Sequence, residues 1–164
     1  MFYIVIGQSG SGKTTFVRER FLKGTEPEVY EDIVPLTRAG EYILIGKYGL
    51  DIRTEGTDTL PYNAAPKIKE QLRRLRGCDV VLEGDRITNP GMMAYIAALG
   101  EPTKMYLVKC KIGTSMQRLR AAGSKITPTF VKATRTKSRN VFMEYGRRFE
   151  GEVIDTDGGQ AWQS

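Results

Sequence analysis

Gly7-Gln8-Ser9-Gly10-Ser11-Gly12-Lys13-Thr14 is the stretch on which the reading of this chain turns. It satisfies G-x-x-x-x-G-K-[ST] in full, and its flanks are the ones that pattern requires. Upstream, Phe2-Tyr3-Ile4-Val5-Ile6 is an aromatic and β-branched run, the mark of a buried strand. Downstream, Phe16, Val17, Phe21 and Leu22 recur at helical spacing and the pattern stops at Gly24. A strand, a glycine loop and a helix in that order form a cradle for phosphate. Gly7, Gly10 and Gly12 let the backbone curl with its N–H groups inward, and the helix start adds partial positive charge. Ser9, Ser11 and Thr15 complete the expected contacts to the nucleotide. Lys13 supplies an ammonium to β- and γ-phosphates, and the Thr14 hydroxyl is placed for Mg²⁺.

Outward from the loop, strands and helices alternate. Ile33 to Thr37 and Tyr42 to Lys47 read as a hairpin, and Tyr48 to Tyr62 as a long functional loop. Ile68, Leu72 and Leu75 mark a helix behind Pro66 that closes at Gly77. Helices are predicted from Pro90 to Leu99, around Ser115 to Ala122, and from Pro128 to about Phe149; strands at Met105 to Cys110 and Val153 to Asp155. The pattern predicts one α/β domain over residues 1–164, the three-layer fold of P-loop NTPases, with a mostly parallel central sheet and a basic lid.

The second landmark is Asp79-Val80-Val81-Leu82-Glu83-Gly84-Asp85-Arg86, an apolar strand ending in carboxylates. On an extended strand Glu83 and Asp85, two apart, leave the same face and so both reach the nucleotide. Spacing alone does not divide their roles. The place of Asp85 at the strand end before Arg86 favours it as the base that takes a proton from an attacking hydroxyl, with Glu83 as the metal or water partner.

Composition narrows the chemistry further. The 164 residues contain no histidine, which removes the commonest general base, every Ser/His or Cys/His arrangement, and a zinc site built on Cys78 and Cys110; both cysteines read as reduced core residues. The N-terminal apolar run is too short for a signal peptide and nothing approaches membrane-spanning length, so a cytoplasmic protein without membrane partners is expected. Charge is uneven. Lys111 to Arg148 carries ten basic residues against the single acid Glu144, while the whole chain is only +6. A guanine-reading Asn-Lys-x-Asp is absent, Thr136-Lys137-Ser138-Arg139 standing in its place, which argues against a GTPase switch.

With GQSGSGKTT near the start, VVLEGDR closing a central strand and a late Arg-rich stretch, the sequence resembles the small P-loop kinases of nucleosides and nucleotides over most of its length. Gly46-Lys47-Tyr48-Gly49, Gly56-Thr57-Asp58-Thr59-Leu60, the LEGDR run and Thr134-Arg135-Thr136-Lys137 look like bacteriophage kinases related to the 5-hydroxymethyluridine DNA kinases. The wider resemblance implies ATP and Mg²⁺ as cofactors and γ-phosphoryl transfer to a hydroxyl. The narrower one implies as acceptor a base-borne hydroxymethyl in DNA, in a host cytoplasm if phage-encoded. A free nucleoside or monophosphate acceptor and a non-catalytic ATP-binding module are the alternatives. On this reading Asp85 is the base, Arg53, Asp58 and Arg86 contact the acceptor, and Arg118, Arg120 and Lys125 form the lid on a Gly123 hinge. The excess positive charge assigns Lys132, Arg135, Lys137 and Arg139 to a polyanionic acceptor such as DNA.

Overall fold

The computed structural model describes residues 1–49 and 55–157. Seven strands form one sheet in the order β2-β3-β4-β5-β1-β6-β7. They are β1 (Phe2–Gly7), β2 (Glu28–Glu31), β3 (Pro35–Ala39), β4 (Tyr42–Ile45), β5 (Asp79–Glu83), β6 (Thr103–Lys109) and β7 (Glu152–Asp155). From β4 to β7 all neighbours are parallel; β3 alone runs against the others, pairing antiparallel with β2 and β4. The helices are α1 (Lys13–Val17), α2 (Ala65–Arg74), α3 (Pro90–Leu99), α4 (Ile112–Ala121) and α5 (Pro128–Tyr145).

β1 lies centrally, between β5 and β6, and its alternation builds both halves of the core. Phe2, Ile4 and Ile6 face α2, α3 and α5 through Ile68, Leu72, Met92, Met93, Ile96 and Val141. Val5 faces the other way, against Phe16, Val17, Phe21 and Leu22. All four β1 residues are fully buried, each contributing about 1.5–3 kcal/mol in removed apolar surface. The predicted sheet between two helical layers is therefore present. Cys110 is buried, Cys78 half-buried, and both are free thiols.

Four details depart from the sequence reading. The helix after the loop widens to a π-type turn over Arg18–Leu22. An edge strand, β2, precedes the predicted hairpin. Within the long loop, Thr57–Thr59 make a 3₁₀ turn and Lys47 bridges Gly56. Most consequential, β5 stops at Glu83. Gly84 has φ 124°, and Asp85–Ile87 form a 3₁₀ turn, so the two-residue alternation that was to carry Asp85 alongside Glu83 is broken. Among the described residues no helix is long and apolar enough to cross a membrane.

Candidate active site

The parallel strands β5, β1 and β6 end together, and there the loop after β1 curls over the start of α1. Gly12, at φ 95°, precedes α1 with no side-chain cap, so the first-turn N–H groups remain available to an anion. Ser9 N is different: it donates to Thr134 Oγ1 of α5 at 3.1 Å, which ties the loop to that helix. Lys13 Nζ donates to the carbonyls of Gly7 and Gln8 at 2.9 Å each. Burial lowers the pKa of Lys13, while Glu83, Asp58 and Asp85 pull it the other way. A cleft of about 480 Å³ opens above, lined by Ser9, Gly10, Gly12, Lys13, Thr14 and Thr15, by the carboxylates Asp58 and Glu83, and by Arg118 with Leu119, Ala122 and Ile126.

Glu83 is only 2% exposed. Its Oε1 accepts from Thr14 Oγ1 at 2.9 Å, while Oε2 is buried with no hydrogen-bond partner among the described residues. Burial raises its pKa to about 7 against the opposing effects of Lys13 and Thr14. A buried acceptor left unpaired costs about 1–3 kcal/mol. Among the described residues no cluster of three His, Cys, Asp or Glu could enclose a metal. The hard oxygens of Thr14 and Glu83, one of them orphaned, do fit Mg²⁺, which takes few protein ligands beside phosphates and water.

Gly84 lets the loop before α2 come down on the end of β5: a Cβ there would lie 2.6 Å from Thr57 Oγ1 and 2.9 Å from Asp58 Oδ1. Thr57 Oγ1 donates to Glu83 O at 2.6 Å, and Asp58 Oδ1 accepts from the amides of Asp85 and Arg86 at 3.0 and 3.4 Å. Asp58 is thereby fixed at the cleft beside Glu83. Asp85 is not. Its carboxylate accepts from Lys137 Nζ at 3.0 Å, half-exposed, and it is not among the residues lining the cleft, although it is near enough to act on Lys13. The same-face argument for the pair Glu83 and Asp85 is thus corrected: the acid that joins Glu83 is Asp58.

The residues expected at the acceptor divide. Asp58, Arg86 and Lys137 gather around the end of β5, with Arg86 Nε donating to Leu60 O at 2.6 Å and its guanidinium 4.1 Å over the ring of Tyr62, itself 92% exposed. Arg135 lies elsewhere, in a cleft with Gln8, Lys109, Arg139 and Val153. At 3.6 residues per turn Lys132, Arg135 and Arg139 fall within about 60° around α5, whereas Lys137 lies about 140° from Lys132. Arg53 is outside the described residues. The lid residues also separate. Arg118 is anchored, its Nη1 donating to Ser11 O and Thr156 Oγ1 at 3.2 and 2.8 Å and its Nη2 to Thr156 O at 2.7 Å, which makes it a fixed wall of the cleft. Arg120 is exposed and outside the lining.

Sequence reasoning missed the apolar wall of Leu119, Ala122 and Ile126, because α4 ends at Ala121 and the last two lie in the segment beyond it, where no helical spacing marks them. It also missed Arg18, which holds both stems of the long loop through Gly49 O at 2.8 Å and a two-point grip on Glu55. No local signal marks a contact between residues 37 apart.

No family model matches this sequence, and no curated protein matches it. Solved structures do. A deoxyadenosine kinase from M. mycoides with dCMP and a flexible dCDP bound is similar at TM-score 0.54 and 12% identity, over 98% of this chain and 95% of that one. With dCTP bound, the kinase matches at TM-score 0.49 and 11% identity, over 99% and 95% of the two chains. At such identity the likeness establishes the α/β fold with its mostly parallel sheet.

Proposed function

We propose that this chain is an ATP- and Mg²⁺-dependent kinase that moves the γ-phosphoryl group to a hydroxyl of a nucleotide-type acceptor. The observation that carries the reading is the convergence on one cleft of Lys13, Thr14, Glu83, Asp58 and Arg118, drawn from the ends of four different segments. Lys13 and the amides of α1 hold the triphosphate, with Leu119, Ala122 and Ile126 as the apolar wall for its base. Thr14 and Glu83 would hold Mg²⁺, which when bound neutralises phosphate charge. Asp58, fixed by two backbone amides and facing the cleft, takes the role that sequence gave to Asp85: it accepts the hydrogen bond of the attacking hydroxyl and orients it. Arg118, in the wall of the same cleft, would stabilise the charge that builds on the transferring group.

For the acceptor, the exposed ring of Tyr62 over Arg86 offers a flat surface to a base next to Asp58. The fold likeness to a deoxyadenosine kinase agrees with an acceptor of this class. The finer reading is a 5-hydroxymethyluridine in DNA, supported by the row Lys132, Arg135 and Arg139 on one flank of α5. The test is incubation with γ-labelled ATP and a panel of deoxynucleosides, monophosphates, ordinary DNA and hydroxymethylated DNA. Label on hydroxymethylated DNA alone supports the finer reading; label on a free nucleoside or monophosphate replaces it; Mg-ATP left unconsumed with every acceptor refutes the kinase.

A further inference from the structure

Close to Glu83, and outside the lining of the cleft, lies a second buried oxygen with no hydrogen-bond partner among the described residues, the hydroxyl of Tyr48. Tyr48 is 1% exposed and its ring packs in the core with Phe16, Val81 and Tyr106. Its backbone is fixed: Tyr48 N donates to Thr37 Oγ1 at 3.1 Å, and Thr37 Oγ1 in turn donates to Gly46 O at 2.9 Å. Gly56, at φ 71°, closes the arrangement. A Cβ there would lie 2.8 Å from the Tyr48 hydroxyl and 2.9 Å from Glu83 Oε1, so both groups converge over the bare face of one glycine. Phenylalanine would fill the same space without an unpaired oxygen, and the phenolic O–H is a donor that an ionised Glu83 carboxylate can accept.

We propose that the Tyr48 hydroxyl is a positioning residue for the Glu83 carboxylate, completing its hydrogen bond to Glu83 when the carboxylate turns to the cation that accompanies a nucleotide's phosphates. This rests on the metal role given to Glu83 above. Outer partners of metal-binding carboxylates commonly set affinity by about 10–100-fold.

The test is Tyr48→Phe in the full chain, with binding of a non-hydrolysable ATP analogue followed as Mg²⁺ is titrated and, separately, in EDTA. The expected result is an apparent Mg²⁺ affinity weakened about tenfold, an unchanged affinity in EDTA, and an unfolding midpoint without metal or nucleotide that is equal to or above wild type. A Mg²⁺ titration identical to wild type overturns the proposal. Equal losses with Mg²⁺ and in EDTA overturn it too, because they assign the hydroxyl to packing. Analogue binding by the wild type that ignores Mg²⁺ removes the metal role of Glu83 and the proposal with it. Absence of phosphoryl transfer to every acceptor, with the Mg²⁺ dependence intact, refutes the kinase and leaves the role of Tyr48 standing.

Discussion

Replacing Glu83 by Gln should change how the stability of the nucleotide-free protein depends on pH. In the folded chain burial lifts the Glu83 pKa from 4.5 to about 7. Below pH 4.5 the residue is protonated in both folded and unfolded states and contributes nothing to the slope. Between 4.5 and 7 the unfolded chain has released this proton and the folded chain still holds it. Stability present at low pH is therefore lost as pH climbs through the folded value. At about 1.4 kcal/mol per pH unit the full loss between 4.5 and about 7 is about 3.5 kcal/mol. Glutamine keeps the shape and lacks the proton, so the stability difference between Glu83→Gln and wild type should move by about 2.5 kcal/mol in favour of the variant between pH 5 and pH 8. In urea, with a slope of about 2 kcal/mol per molar, that is roughly 1.3 M in midpoint. Unfolding curves of both proteins at pH 5, 6, 7 and 8, free of metal and nucleotide, measure it directly. Midpoints that run parallel across this range would refute the argument that Glu83 is held protonated by burial.

Lys13→Ala should fold normally and lose at least 100-fold in phosphoryl transfer, as removal of a transition-state charge does; turnover near wild type in a folded variant removes Lys13 from the chemistry. Asp58→Asn should lower kcat by about 100-fold or more with nucleotide affinity little changed, and Asp85→Asn should cost less than tenfold; the reverse order returns the base to Asp85. Arg18→Ala leaves Glu55, whose side chain is 6% exposed, without its partner, and should lower stability by about 3 kcal/mol; an unchanged thermal midpoint would show the pair to be idle. If DNA is the acceptor, Arg135→Ala should weaken binding to all sequences alike and reduce the slope of log K against log salt by about one, whereas Lys137→Ala should change turnover instead; a slope unaffected by Arg135→Ala takes that residue off the DNA.

The phosphate loop was legible because everything that makes it is local: the glycines, Lys13 and Thr14 lie within eight consecutive residues, and their flanking strand and helix announce themselves by periodicity. The sheet followed from the same apolar runs. β2 escaped because Glu28-Val29-Tyr30-Glu31 is an edge strand, largely exposed and acidic at both ends, with no buried face to impose a pattern. The departure of Asp85 from the face of Glu83 has a single cause. The reading extended β5 through Gly84, and the backbone turns there, sending Asp85 to Lys137. Asp58 was recognised as a site residue but its place at the cleft depends on contacts to residues 27 and 28 positions away, which a local pattern does not contain. The pairing of Arg18 with Glu55 was hidden for the same reason.

The knot of Arg118, Thr156 and Ser11 has a consequence for the order in which the protein is made. Thr156 Oγ1 donates to Ser11 O at 2.6 Å across 145 residues of chain, and β1 finds its neighbours only in β5 and β6. During synthesis the phosphate loop emerges well before the residue that ties it down. Until β5 and β6 arrive, the apolar β1 must wait unpaired, and the tie from Thr156 to the loop waits longer still, for the residue past β7. Contacts of such separation also slow the final collapse, because closing a long loop precedes any reward from it. If the chain binds nucleotide as proposed, capture depends on contacts made late as well as on the loop made early.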